Sequence, residues 1–111
     1  MSQRILRVNQ LIKQEIGQLL SREIDFANVL VTITQVETSP DLRQAKIKIS
    51  IMPIEKSESV LKILEKNIYH LQQILNKKLK MRTVPKIRFV IDQAEAKAQR
   101  IEEILGKMKK G

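Results

Sequence analysis

A small α+β domain, three strands with helices packed on one face, is what the periodicity of this chain predicts. Three observations point there. Two long segments repeat their apolar residues at spacings of three and four, as one face of an α-helix requires. Three short runs rich in β-branched residues alternate apolar with polar, as a half-buried strand requires. The segments follow one another as helix, strand, strand, helix, strand, helix, a pattern that leaves one sheet to be covered on one side. At 111 residues the chain is long enough for one domain with a modest core.

The first helix is predicted over Ile5 to Ile24, from Ile5, Val8, Ile12, Ile16, Leu19, Leu20 and Ile24. Asp25 and Asn28, on either side of Phe26, supply turn chemistry. Val29 to Thr38, rich in β-branched residues, reads as a strand in which Val29, Val31 and Ile33 share one side. The phase then slips to Val36, which predicts a bulge near Thr34 and Gln35. Ser39-Pro40-Asp41 is a turn, and Ala45, Ile47, Ile49 and Ile51 alternate with Lys46, Lys48 and Ser50 in a second strand with one wet face. The two strands make a hairpin that ends near Pro53.

Ser57 and Ser59 are N-cap candidates for a long helix whose apolar positions are Val60, Ile63, Leu64, Ile68, Leu71, Ile74, Leu75 and Leu79. Pro85 ends it and pushes Val84 towards extended geometry. Ile87, Phe89 and Ile91 alternate with Lys86 and Arg88 in a third strand; Asp92 ends it and can cap the tail helix. From Gln93 to Gly111 the pattern is helical again, with Ala94, Ala98, Ile101, Leu105 and Met108 in phase and a Lys-rich end expected to fray. The expected division is a domain over 1–92 and a basic helical tail over 93–111.

Composition narrows the function. Twenty-one Lys and Arg against 12 Asp and Glu give a net charge of +9, which favours a polyanionic partner. No apolar run approaches the ~20 residues of a membrane-spanning helix. The opening MSQRILRVNQ enters a polar amphipathic pattern at once, with no signal-peptide apolar region, so a cytoplasmic location is expected. Cysteine is absent, which removes disulfides, thiol nucleophiles and sulfur ligands for zinc. Aromatic residues are confined to Phe26, Tyr69 and Phe89, too few for recognition by stacking several bases. His70 is the only histidine and has no carboxylate or nucleophile grouped with it in the sequence; neither a Gly-rich phosphate loop nor an HExxH motif occurs. No cofactor, metal or catalytic residue is expected, and Asp41 reads as a turn residue that caps backbone N–H groups.

The charge is concentrated. Between Asn76 and Asp92 stand Lys77, Lys78, Lys80, Arg82, Lys86 and Arg88, without one acid. The helix macrodipole accounts for lysines at a helix C-terminus, but not for Lys86 and Arg88 on the next strand. Lys62, Lys66, His70, Gln73, Lys77 and Lys80 are spaced to form one polar ridge that also holds no acid, whereas an ordinary solvent face mixes signs. Phosphate-rich RNA is the partner this pattern favours.

The chain resembles the ribosome-binding factor A family from Arg4 to Leu105. The likeness is carried by Arg7-Val8, by Val31-Thr32-Ile33-Thr34-Gln35-Val36, by Ser39-Pro40-Asp41-Leu42 and Ala45-Lys46, and above all by Leu79-Lys80-Met81-Arg82-Thr83-Val84-Pro85-Lys86-Ile87-Arg88-Phe89 with Asp92; Arg100-Ile101 and Ile104-Leu105 lie further on. The resemblance implies a KH-like domain of type II, ordered α-β-β-α-kink-α-β with a three-stranded sheet and a C-terminal helical tail. It implies binding to 16S rRNA of the free 30S small-subunit precursor, late maturation including processing of the rRNA 5′ end, growth in the cold, release before translation, and no catalysis; a monomer is expected. Where the family carries an Ala-x-Gly kink this chain has Asn67-Ile68-Tyr69. Either Asn67 supports the kink, since asparagine tolerates unusual backbone angles, or the helix runs straighter.

The RNA-binding residues expected are therefore Lys77, Lys78, Lys80, Arg82, Lys86 and Arg88 on phosphates. Lys62, Lys66 and His70 extend the surface, Asn67, Ile68 and Tyr69 make the kink-side contact, and Arg4 and Arg7 add charge from the first helix. Two other readings compete: a KH-like module for single-stranded RNA with no ribosomal role, and a protein-interaction adaptor that uses the tail helix.

Overall fold

The computed structural model describes residues 2–94 together with 97, 101 and 105. Helix α1 (Gln3–Glu23) is followed by strands β1 (Leu30–Thr38) and β2 (Gln44–Met52), a 3-10 turn at Ile54–Lys56, helix α2 (Ser57–Lys78) and strand β3 (Lys86–Ile91). The sheet order is β1-β2-β3, antiparallel between β1 and β2 and parallel between β2 and β3. α1 packs mainly on β1 and α2 mainly on β3, on the same face of the sheet. This is the α+β, KH-like arrangement that the sequence predicts.

Each element follows from local chemistry. α1 starts earlier than its apolar stripe because the Ser2 side chain accepts a 3.2 Å hydrogen bond from the Ile5 N–H. Its stripe of Val8, Ile12, Ile16, Leu19 and Leu20 is buried. After the helix, the Asp25 carboxylate accepts from the Ala27 N–H at 2.9 Å. That turn carries Ala27 and Asn28 through positive φ values of 53° and 69°. The predicted bulge is present: pairing jumps between Ile33 and Gln35, and the extra Thr34 donates its hydroxyl to Asp92 Oδ2 at 2.5 Å, with Lys48 O 3.3 Å away.

In the β1–β2 turn Asp41 has the structural role expected of it. Its carboxylate accepts from the Ser39 hydroxyl at 2.6 Å and the Arg43 N–H at 3.1 Å. These two bonds, the hydroxyl first, hold its pKa below the ordinary carboxylate value.

Alternation on β2 sends Ala45, Ile47, Ile49 and Ile51 into the core, where they meet Val60, Leu64, Leu71 and Leu75 of α2 and Ile87 of β3. Each fully buried Leu or Ile contributes about 1.5–3 kcal/mol by leaving water. Thr38, a polar residue among these buried ones, is satisfied by Asn9 Oδ1, which accepts from its N–H at 3.0 Å and its hydroxyl at 2.5 Å.

Two expectations for α2 are corrected. Ser57 and Ser59 do not cap its N-terminus; their hydroxyls donate to Ile54 O and Lys56 O at 2.6 and 2.9 Å. The helix grows directly out of the 3-10 turn, whose carbonyls are the nearest acceptors, and Lys56 occupies the N-cap position without a side-chain bond. The break that the resemblance implies is also absent: α2 is one continuous helix through Asn67-Ile68-Tyr69, so the second of the two alternatives for this segment holds. Asn67 donates to the Ile63 carbonyl at 2.8 Å, one turn back, a contact made on a continuing helix rather than at a break.

Beyond β3, Asp92 Oδ1 accepts from the Ala94 N–H at 3.0 Å, in keeping with its expected capping role. Gln93, Ala94, Lys97, Ile101 and Leu105 are helical and exposed. Ala98, Arg100, Ile104, Met108 and the Lys-rich end lie outside the described residues. Among the described residues no helix is long and apolar enough to cross a membrane.

Candidate nucleic-acid interface

The basic residues of the α2–β3 region are set by an alternation that continues through the connecting loop. Leu79 and Pro85 are buried, Met81 and Val84 pack against the core, and Lys80, Arg82 and Thr83 are left in solvent between them. The loop is further held by a 3.0 Å bond from the Met81 N–H to Leu79 O. Lys77 and Lys78 occupy the last turn of α2, where they also offset the dipole.

At the far end of the loop Gln72 fastens β3. Its amide donates to Pro85 O at 3.0 Å and accepts from the Ile87 N–H at 2.9 Å. β3 is an edge strand. The side chain thus occupies part of the edge that a further strand would otherwise take.

On β3, Ile87 is buried, so Lys86 and Arg88 point to the opposite, open face of the sheet. Register makes that face a basic surface. Arg88 lies beside Lys46, Lys86 beside Gln44, and Lys48 beside Val90. The strands place one acid there, Glu37, which pairs with Lys46 across the ladder and forms a 2.9 Å ion pair with Lys48. Both partners are solvent-accessible, so the pair contributes under about 1 kcal/mol.

The ridge of α2 faces the other way. Its buried positions Val60, Leu64, Leu71 and Leu75 face the core, and Lys62, Lys66, His70, Gln73 and Lys77 stand exposed on the outer side of the helix. The single surface expected from the sequence is therefore divided between two sides of the domain. The ridge also has an acidic neighbour that its own spacing does not reveal. The end of α1 brings Glu23 Oε2 within 3.6 Å of His70 Nε2. None of Lys62, Lys66, Lys77, Lys78, Lys80, Arg82, Lys86 or Arg88 is in an ion pair with another described residue.

At the absent kink, Asn67 is half-buried and bonded to Ile63, and Ile68 packs against the core. Tyr69 alone of the three projects, 76 % exposed. Arg4 and Arg7 are exposed on the first turns of α1. Sequence reasoning missed Lys46, Lys48 and Arg43 as members of the basic surface and Gln72 as its fastening. Strand alternation signals the outward direction of the two lysines, but only the pairing of β2 with β3 brings them to Arg88. Among the described residues no group of three or more His, Cys, Asp or Glu is placed to hold a metal.

A profile of the family described as ribosome-binding factor A matches residues 4–105. Ribosome-binding factor A of Coxiella burnetii is 37 % identical over 106 residues, covering 95 % of this chain and 89 % of the relative. That of Protochlamydia amoebophila is 35 % identical over 111 residues, covering 97 % and 85 %. In structure the fold is similar to coordinates of Thermus thermophilus ribosome-binding factor A fitted into a cryo-EM map of a 30S complex. The TM-score is 0.65 with 21 % identity, covering 77 % of this chain and 91 % of the other.

Proposed function

Because this chain belongs to the ribosome-binding factor A family, we propose that it binds 16S rRNA of the free 30S small-subunit precursor. It would assist the late maturation of that particle, including processing of the rRNA 5′ end. The observation that carries this reading is the open sheet face, where Lys46, Lys48, Lys86 and Arg88 stand against the single strand acid Glu37. A surface of that sign suits a phosphate backbone, and flexible lysines hold phosphates without reading bases. In this reading residues 1–92 are the RNA-binding domain, and 93–111 form a basic helical tail that adds charge. Lys78, Lys80 and Arg82 continue the sheet surface towards the helix end; Lys62, Lys66, Lys77 and Tyr69 meet RNA on the outer side of α2. The protein works in the cytoplasm as a monomer, and the role consists of binding and remodelling, with no chemical step.

Co-sedimentation with free small subunits, but not with translating ribosomes, is the expected result. Crosslinking to small-subunit precursors with mapping of the RNA positions then locates the site. Four or more phosphate contacts predict a log–log salt slope steeper than about −2.8 on single strands. A near-flat slope removes the phosphate reading.

A further inference from the structure

We propose that Arg4, Arg43 and Arg82 form a clamp for one phosphodiester group of the RNA, an inference that rests on the RNA-binding reading above. The three side chains come from α1, the β1–β2 turn and the α2–β3 loop, and line one open concavity of about 250 Å³. Leu42 and Met81, both half-buried against the core, are its apolar lining. Guanidinium stems lie well on such a surface while their planar forks face outwards.

The frame beneath the clamp is fixed. The Arg43 N–H donates to Asp41 Oδ1 at 3.1 Å, and the Arg43 carbonyl accepts from the Lys86 N–H at 2.9 Å. The turn and the start of β3 therefore hold this residue from both sides. The Asp41 carboxylate also lines the concavity; its Oδ1 accepts from the Ser39 hydroxyl and the Arg43 N–H, and its charge offsets part of that of Arg43. Three guanidinium groups against one carboxylate leave a local excess of two positive charges. Arg4 lies in the first turn of α1, which contains no acid, so nothing in that helix end compensates it.

A phosphodiester within a strand suits this corner better than an isolated carboxylate. Arg7 continues the charge along α1, Lys80 continues it up the loop, and Lys86 leads onto the open sheet face. A polyanion lying across the concavity has further cations on the segments that flank it, and planar forks match the tetrahedral oxygens of a phosphate.

The test measures affinity of the full chain for a single-stranded oligoribonucleotide of small-subunit precursor sequence, lacking a terminal phosphate, across a range of salt. If three arginines share one phosphate, R4Q/R43Q/R82Q flattens the log–log slope by about 0.7, one contact's worth on single strands. Each single variant leaves two forks on the phosphate and so weakens binding with little change of slope, and R43K, which keeps charge but loses the fork, also weakens binding. An unchanged slope overturns the clamp, as does a fall of roughly 2.1, the signature of three separate contacts.

K62Q/K66Q/K77Q serves as the comparison. If it flattens a steep wild-type slope while the arginine variant does not, the clamp alone is lost. If the wild-type slope is itself near flat, the RNA reading goes with it. A measurement on the unmodified chain gives an independent answer: the Nε–Hε resonances of the three arginines shift on one isotherm when a dinucleoside monophosphate is added. Three different isotherms overturn the proposal.

Discussion

Gln72 is the residue on which the shape of the basic corner depends, and its replacement tests that dependence. Gln72→Ala removes the bonds to Pro85 O and the Ile87 N–H, and with them the 3.0 Å bond to Asn76 Oδ1. Each intramolecular hydrogen bond contributes a net ~0.5–1.5 kcal/mol, and an unmet buried partner costs more. Pro85 and Ile87 are buried, so the partners left behind meet little water, and the loss is expected in the upper part of the sum of those two bonds, about 2–3 kcal/mol. At roughly 4–8 °C per kcal/mol for a domain of this size, Tm falls by about 8–24 °C. Calorimetry on Gln72→Ala and Gln72→Met separates the causes, because methionine restores volume without hydrogen bonds. Both variants are expected to lose similar stability. Both are also expected to bind RNA more weakly with the salt slope unchanged, since no charge is removed and only the placement of Arg82, Lys86 and Arg88 is loosened. A methionine variant as stable as the wild type refutes the reasoning, for packing would then be the whole contribution of this side chain.

Three further outcomes test other parts of the structure. K46Q/R88Q removes two neighbouring charges of the open sheet face and flattens the salt slope by about 1.4 on single strands; Glu37→Gln, which frees Lys48, tightens binding, and anisotropy titrations read both. Leu64→Ala opens a cavity in the centre of the core and costs about 2–5 kcal/mol, a large share of the ~5–15 kcal/mol of a typical domain, measured by urea unfolding. The depressed pKa of Asp41 means that near and below its ordinary value of 3.8 the unfolded chain binds more protons than the folded one. The stability it confers is full above that value and disappears as pH falls through the lower folded value; Asp41→Asn therefore flattens the acid limb of the stability–pH curve there, and leaves its form above about pH 5 as in the wild type.

Much of the fold is local and therefore readable. The β1 bulge follows from the phase slip between Ile33 and Val36, and the Asp41 turn from residues adjacent in sequence. The core stripe of α2 follows from helical spacing alone. What escapes is whatever depends on two distant segments meeting. Periodicity says that Lys46 and Arg88 face outwards from their strands, but the parallel register that sets them side by side is a tertiary fact. Glu23 meets His70 because α1 and α2 lie together, and no spacing within α2 predicts that. Gln72 looks like one more polar helix residue until Pro85 and Ile87 arrive against it. The serine caps failed for a different reason: a 3-10 turn ahead of the helix put carbonyls within reach of hydroxyls that a free helix start would have turned to its own N–H groups.

The unbroken α2 constrains how RNA can be held. A helix that breaks exposes backbone N–H groups at the break, and such groups bind phosphate with fixed geometry and without adding side-chain charge. Here α2 runs through Asn67-Ile68-Tyr69, and the Asn67 amide is engaged on the Ile63 carbonyl. At this position the chain offers phosphate no backbone donors. On the proposed reading, binding then rests on lysine and arginine side chains, whose contribution comes largely from released counterions and falls as salt rises. Restoring small residues by N67A/Y69G separates the two modes. If glycine opens the helix, as its freedom at positive φ and its low helix propensity favour, affinity at high salt rises while the slope stays the same, because the added donors are uncharged. A variant whose helix opens, seen as lost amide-exchange protection after residue 67, yet whose affinity at high salt does not rise would show that backbone donors at this place are of no use to the RNA.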